Sequence, residues 1–181
     1  TAHSRLTIYP GLGAIDAKVN VYDRGLSLIA QREHVFEFPE SAIQWAGVFV
    51  DSAGFLWAAG VEIPPSPLPR RIFVERHPPN LSAPPIAHRL TLGAAFTGTI
   101  RATLDPRGGL VVAGEQDALG NRDHFRRVNV DGFSDKFREP GFADGPMAVD
   151  ADGALYIGGK DPAGGLAALV KVSSTGAHAW E

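Results

Sequence analysis

Apolar and polar side chains alternate along residues 99–104: Ile100, Ala102 and Leu104 fall on one side, and Thr99, Arg101 and Thr103 on the other. Period-two alternation predicts a half-buried β-strand. Shortly afterwards the pattern changes to Leu110-Val111-Val112-Ala113, apolar at every position, with counterparts in Leu56-Trp57-Ala58-Ala59 and Leu155-Tyr156-Ile157-Gly158. Such runs predict interior strands covered on both faces. An Asp-x-x-Gly step separates the two kinds of strand. It occurs at Asp51–Gly54, Asp105–Gly108 and Asp150–Gly153, and each Asp is followed by Leu five residues later and Gly nine residues later. An Asp carboxylate can accept from backbone N–H groups ahead of it and Gly tolerates positive φ, so each copy reads as a β-hairpin turn.

The three Asp residues lie 54 and then 45 residues apart, a spacing that points to a propeller-like blade repeat. A third strand follows in each copy and carries a basic residue. Arg127 in Phe125-Arg126-Arg127-Val128 aligns with Lys171 in Leu169-Val170-Lys171-Val172, and more loosely with Arg76 in Val74-Glu75-Arg76-His77. Residues 18–25 match this third strand with one extra residue before the turn. Fourth strands are expected at 26–30, 86–92, 133–137 and 177–180. The fold expected is therefore all-β, a β-propeller-like repeat of about four four-stranded units forming a partial propeller or a small ring. The reading is of a single domain over 1–181, with repeat units at about 1–40, 41–97, 98–142 and 143–181. A helical reading of 165–172 is disfavoured by Gly164-Gly165 before it and Gly176 after it, and by the marginal stability of short helices.

Residues 146–159, residues 127–137 with their Val-Asp-Gly-Phe-Ser-Asp-Lys-Phe wording, and residues 169–180 resemble the bacterial β-propeller repeats of the delta-sixty and seven-bladed extracellular types. The resemblance extends over 98–181 and more loosely over 41–92, and it does not reach 1–17. It implies the propeller architecture and an extracellular or cell-surface location, and it leaves activity open, since propellers host enzymes, lectins, scaffolds and adhesins. Those families usually supply more units than this chain has. Four blades then close a small ring, or another chain or further sequence completes it.

Composition narrows the classes. The 181 residues include no Cys, which excludes disulfides, thiolate metal sites and Cys nucleophiles. Lys and Arg number 17 against 20 Asp and Glu, a net charge of −3 that argues against a nucleic-acid partner. No apolar run reaches the length of a membrane-spanning helix. The chain begins at Thr1 rather than Met, which reads as a processed chain or a fragment. The 21 Gly and 14 Pro are spread throughout, as many short strands joined by turns require.

Candidate chemistry is sparse. Asp150-Ala151-Asp152-Gly153 resembles the opening of a calcium loop with Asp161 at its twelfth position, but Leu155 replaces the required Gly and the bidentate Glu is absent, so a turn is the reading preferred. No metal ligand set and no cofactor are assigned. The six His residues, at 3, 34, 77, 88, 124 and 178, show no metal spacing, and His34 beside Glu33 and His124 beside Asp123 read as solvated neighbours. No Gly-x-Ser-x-Gly elbow, dinucleotide fingerprint or P-loop occurs, and no catalytic residue is assigned. Pro64-Pro65-Ser66-Pro67-Leu68-Pro69-Arg70-Arg71 reads as a stiff polyproline II connection.

The function expected is that of a structural or binding module, acting through protein–protein contacts or self-association at open strand edges. Its candidate binding residues lie in the connections between second and third strands: Glu62, Arg70 and Arg71; Glu115, Asp117, Asn121, Arg122 and Asp123; Lys160 and Asp161. Trp57 reads as core, while Trp45 and Trp180 are candidates to receive a glycan or a partner. The alternatives are a glycan-binding propeller and a metal-dependent hydrolase or lactonase with ligands on the innermost strands. There the chain offers Val48, Phe49, Ala102, Thr103, Met147 and Ala148, which are poor ligands.

Overall fold

The computed structural model describes residues 3–4, 18–22, 24–38, 40–92, 100–116, 122–140, 145–160, 167–175 and 178–180, with the backbone alone at 3–4, 115–116, 122–124, 134–140, 160, 168 and 178–180. Among the described residues there is no helix, and the strands form antiparallel sheets. The chain divides into two compact units, Thr1–Thr91 and Leu92–Glu181.

The first unit holds two sheets. One has the order β1 (His3–Ser4), β2 (Lys18–Tyr22) and β3 (Leu28–Glu33). The other is a four-stranded meander of β4 (Ala42–Val50), β5 (Leu56–Ile63), β6 (Arg71–His77) and β7 (Ile86–Thr91). Val19 and Val21 of β2 are buried in one cluster with Leu56 and Ala58 of β5 and with Leu81, which lies in the β6–β7 connection. Leu81 holds its place with a left-handed backbone, φ 54°, its carbonyl accepting from Arg32 Nη2 at 2.8 Å.

The second unit also holds two sheets, both four-stranded meanders. The first comprises β8 (Arg101–Leu104), β9 (Leu110–Gln116), β10 (Arg122–Asn129) and β11 (Gly132–Pro140). The second comprises β12 (Met147–Val149), β13 (Leu155–Lys160), β14 (Ala167–Val172) and β15 (His178–Trp180). Val111, Ala113 and Phe125 of the first are buried with Leu155, Ile157, Val170 and Val172 of the second. At roughly 25 cal/mol for each Å² of apolar surface removed from water, each larger side chain contributes about 2 kcal/mol to this core.

The Asp-x-x-Gly steps form the hairpin turns, and all three share one hydrogen-bond pattern. Gly54, Gly108 and Gly153 donate their N–H to the carbonyls of Asp51, Asp105 and Asp150 at 2.9–3.0 Å, and each takes a positive φ of 84°, 109° or 82°. A residue with a Cβ is strained there. The Oδ1 atoms of Asp51 and Asp150 each accept two amides within the turn, and that of Asp105 accepts the amide of Arg107. Both faces of β5 are buried, as its unbroken apolar run requires: Trp57, Ala59 and Val61 on one side, Leu56 and Ala58 on the other. The 165–172 stretch adopts strand structure in β14 from Ala167 onward. The 64–70 stretch makes a hydrogen-bonded turn, Leu68 N–H donating to Pro65 O at 3.1 Å, in place of the expected polyproline II run, which has no internal hydrogen bonds.

Candidate functional site

Alternation along β6 sends Arg71, Phe73, Glu75 and His77 to one face of the β4–β7 sheet. Register places these opposite Glu62, Gly60, Ala58 and Leu56 of β5. Gly60 has a steric reason to be glycine: a Cβ there would lie 2.7 Å from both Gln44 O and Phe73 Cζ. The Phe73 ring uses that space and meets Trp45 edge to face at 5.3 Å.

Residues 34–38, which follow β3, are held against this same face. His34 Nδ1 lies 2.8 Å from Glu75 Oε1, and His77 Nε2 lies 3.2 Å from Glu75 Oε2. Both imidazoles and the carboxylate are buried. With Glu75 ionised, each ring donates the N–H that faces it, Nδ1–H on His34 and Nε2–H on His77. His34 Nε2 and His77 Nδ1 then have no hydrogen-bond partner among the described residues. Phe73, Phe36 and Trp45 surround His34, with ring centroids at 4.4, 5.1 and 6.3 Å. Burial alone would raise the Glu75 pKa. The hydrogen bonds and charge of His34 and His77 outweigh it and lower the value to about 2.

A second carboxylate completes the attachment. Glu62 is fully buried in β5, and its Oε1 accepts the backbone N–H groups of Glu37 and Phe38 at 3.0 and 3.2 Å. Arg89 Nη2 donates to the Val35 carbonyl at 2.8 Å. Arg71 pairs with the Glu37 carboxylate and stacks its guanidinium over Phe38 at 4.6 Å. The hydrogen bond from Arg71 lowers the pKa of Glu37, aided by the charge of Arg71 and Arg89 and opposed by slight burial.

A different arrangement recurs at the three turns. The Oδ2 of Asp51 accepts from the indole N–H of Trp57 at 3.0 Å, and the Oδ2 of Asp150 accepts from the hydroxyl of Tyr156 at 3.1 Å. Both donors stand six residues after their Asp and directly across from a cation: Trp57 pairs with Arg76, Tyr156 with Lys171. The cations lie over the rings, at 5.6 Å for Arg76 on Trp57 and 5.0 Å for Lys171 on Tyr156. In the middle copy Val111 occupies the aromatic position and cannot donate. Arg127, its cross-strand partner, reaches Asp105 Oδ2 itself and also donates to the Gly153 carbonyl, while Arg107 Nη2 binds the same Oδ2 at 2.8 Å. Burial would raise the pKa of Asp105, but the hydrogen bonds from Arg107 and the charge of both arginines lower it. That of Asp150 is lowered chiefly by the amide of Ala154.

The residues singled out from the sequence fall in several places. Glu62 is not in a loop facing solvent; it is a strand residue at 0% exposure whose Oε1 accepts the amides of 37 and 38. Arg71 lies in β6 and pairs with Glu37, while Arg70 precedes that strand, half-buried. Trp45 is half-buried in the aromatic group, and Trp57 is buried as expected. His34 is also not a solvated neighbour of Glu33: it is 5% exposed and bound to Glu75. Glu115 is in β9, Arg122 and Asp123 in β10, Lys160 in β13 and Trp180 in β15, with their side chains outside the described residues. Asp117, Asn121 and Asp161 lie outside the described residues altogether. The carboxylate of Asp150, first ligand of the calcium-loop alternative, is engaged by the turn amides and Tyr156. Among the described residues no group of three or more His, Asp or Glu side chains is arranged to hold a metal ion.

Comparison with known families, curated proteins and solved structures gives no match to this chain.

Proposed function

We propose that this chain is a propeller-type repeat module that acts by binding, outside the cell or at its surface, and that its contact surface is the open edge of β3, through which two copies associate. The observation that carries this reading is the exposure of Leu26, Leu28 and Ile29 at 63, 52 and 59% on the β2–β3 turn and on β3 itself. Strand β3 closes one side of its sheet, pairing only with β2 among the described residues, so its outward N–H and C=O groups meet no strand. Natural edge strands are usually guarded by Lys, Pro or inward charges. Residues 26–31, Leu-Ser-Leu-Ile-Ala-Gln, contain none; the charges of β3 stand at its far end, where the Leu81 carbonyl engages Arg32 and Lys18 engages Glu33.

An antiparallel pairing of β3 with its own copy about a two-fold axis sets one residue across from itself, and centred on Ile29 it brings the two Ile29 side chains together. This satisfies the ladder groups and covers the apolar side chains together. The propeller assignment rests on the repeated Asp–donor–cation turns and the four-stranded meanders β4–β7, β8–β11 and β12–β15.

The test is chemical cross-linking of the wild type and the Ile29→Lys variant at matched concentrations. A cross-linked dimer in the wild type that is lost in Ile29→Lys is expected. Equal cross-linking in both, or none in either, contradicts the assignment of β3 as the contact.

A further inference from the structure

We infer that residues 34–38 form an acid-released strap: a segment fastened to the β4–β7 sheet by carboxylates, whose release at low pH is local and leaves the sheet folded. This goes beyond the β3 contact and does not depend on it, since the strap's attachments involve no residue of the β3 edge.

The segment belongs to no strand, so no ladder protects it. Its attachments run through acidic side chains. Glu75 of β6 receives His34, Glu62 of β5 receives the amides of 37 and 38, and Glu37 of the strap receives Arg71 and Arg89. Arg89 also donates to the Val35 carbonyl, Arg71 stacks on Phe38, and His34 packs against Phe73 and Trp45. Protonation of Glu75 and Glu37 therefore acts on the holds at both ends of the strap. The β5 and β6 strands beneath it keep their own backbone ladders, which do not titrate.

The groups that face Glu75 set the direction. From the strap comes His34, and from β6 itself His77; both donate to the carboxylate. Farther along the same face stand Arg71 of β6, Glu62 of β5, Arg89 of β7 and Glu37 of the strap. Opposite Glu75, β5 and β7 place Ala58 and Ala87, and β4 contributes Trp45, none of them charged. From the other sheet β2 brings Val19 and Val21, and the Arg32 guanidinium of β3 is engaged by the Leu81 carbonyl. The Glu75 carboxylate, whose pKa of about 2 lies below the ordinary 4.5, is thus stabilised in its ionised form chiefly by the two imidazoles. Its contribution is complete above about pH 4.5 and is lost as the pH falls towards 2, the sign expected of a depressed carboxylate.

The experiment is residue-resolved amide hydrogen exchange on the full chain from pH 6 to pH 2, each rate referred to that of an unstructured amide at the same pH. Protection of the Glu37 and Phe38 amides is expected to fall about a hundredfold between pH 5 and pH 2, while Val61 and Ile72 in β5 and β6 stay protected. In Glu75→Gln, which keeps the shape and removes the charge, that fall is expected to shrink by at least tenfold. Three results overturn the proposal: protection of 37 and 38 maintained to pH 2, its loss together with Val61 and Ile72, or a fall of full size in Glu75→Gln. The first shows that no release occurs, the second that it is global unfolding, and the third that Glu75 is not the group that senses the proton.

Discussion

Replacing Arg127 by Leu tests the account of the three turns most sharply, because the middle copy is the one without an aromatic donor. Arg127 and Asp105 are both buried, with side chains 9 and 6% exposed, and the guanidinium divides its donors between Asp105 and the Gly153 carbonyl. Breaking a buried ion pair from one side costs about 3–5 kcal/mol, because the remaining charge is left without its partner. Arg107 still binds Asp105 in the variant, which moderates the loss, but the Arg127 donor to the Gly153 carbonyl is gone. A destabilisation of about 2–3 kcal/mol follows, and with a urea dependence of about 2 kcal/mol per molar it moves the unfolding midpoint down by about 1–1.5 M. Lys171→Met serves as the comparison: Lys171 stands 4.0 Å from Asp150 at the partly exposed end of its copy, and Tyr156 already satisfies the same carboxylate oxygen. Urea unfolding of the two variants, followed by far-ultraviolet circular dichroism, gives the answer. A midpoint for Arg127→Leu within 0.3 M of that for Lys171→Met, on the order of the scatter between ordinary surface variants, refutes the idea that Arg127 substitutes for the missing aromatic donor.

Other outcomes follow from the same contacts. Trp57→Phe removes the indole donor from Asp51 along with buried volume and is expected to lower stability by about 2 kcal/mol, whereas Tyr156→Phe, at a more exposed turn, is expected to lower it by less in the same urea assay. Gly60→Ala drives a methyl into the Gln44 carbonyl and the Phe73 ring and is expected to cost about 1–3 kcal/mol by thermal unfolding. The depressed pKa of Glu75 contributes about 3 kcal/mol to the first unit above pH 4.5, decreasing towards pH 2, and a carboxyl titration followed by carbon-13 chemical shift should place its midpoint near 2 rather than 4.5.

What was legible in the sequence was whatever has a short-range signature. An Asp three residues before a Gly, a Leu five residues on and an alternating strand before it are local requirements, and the three hairpins appear where those requirements repeat. The cation of the third strand was legible for the same reason, although its role was not: that Arg127 reaches Asp105 depends on Val111 lacking a donor, a fact visible only once register pairs the two. The strap left no local trace. Glu62 follows Gly60 closely and reads as a loop acid, yet its partners are amides 24 and 25 residues earlier in the chain. His34, next to Glu33, reads as a surface neighbour, yet its acid is Glu75, brought to it by the β6 register. Buried carboxylates satisfied across such separations have no motif, because the atoms that stabilise them belong to segments with no periodic relation.

The central claim, that the open edge of β3 joins copies of the chain, is tested most directly by light scattering across a hundredfold range of concentration. Association through this edge gives a mass that rises above the 19.2 kDa of one chain as concentration increases, and that stays at one chain throughout in Ile29→Lys. A wild-type mass fixed at 19.2 kDa over the whole range would contradict it.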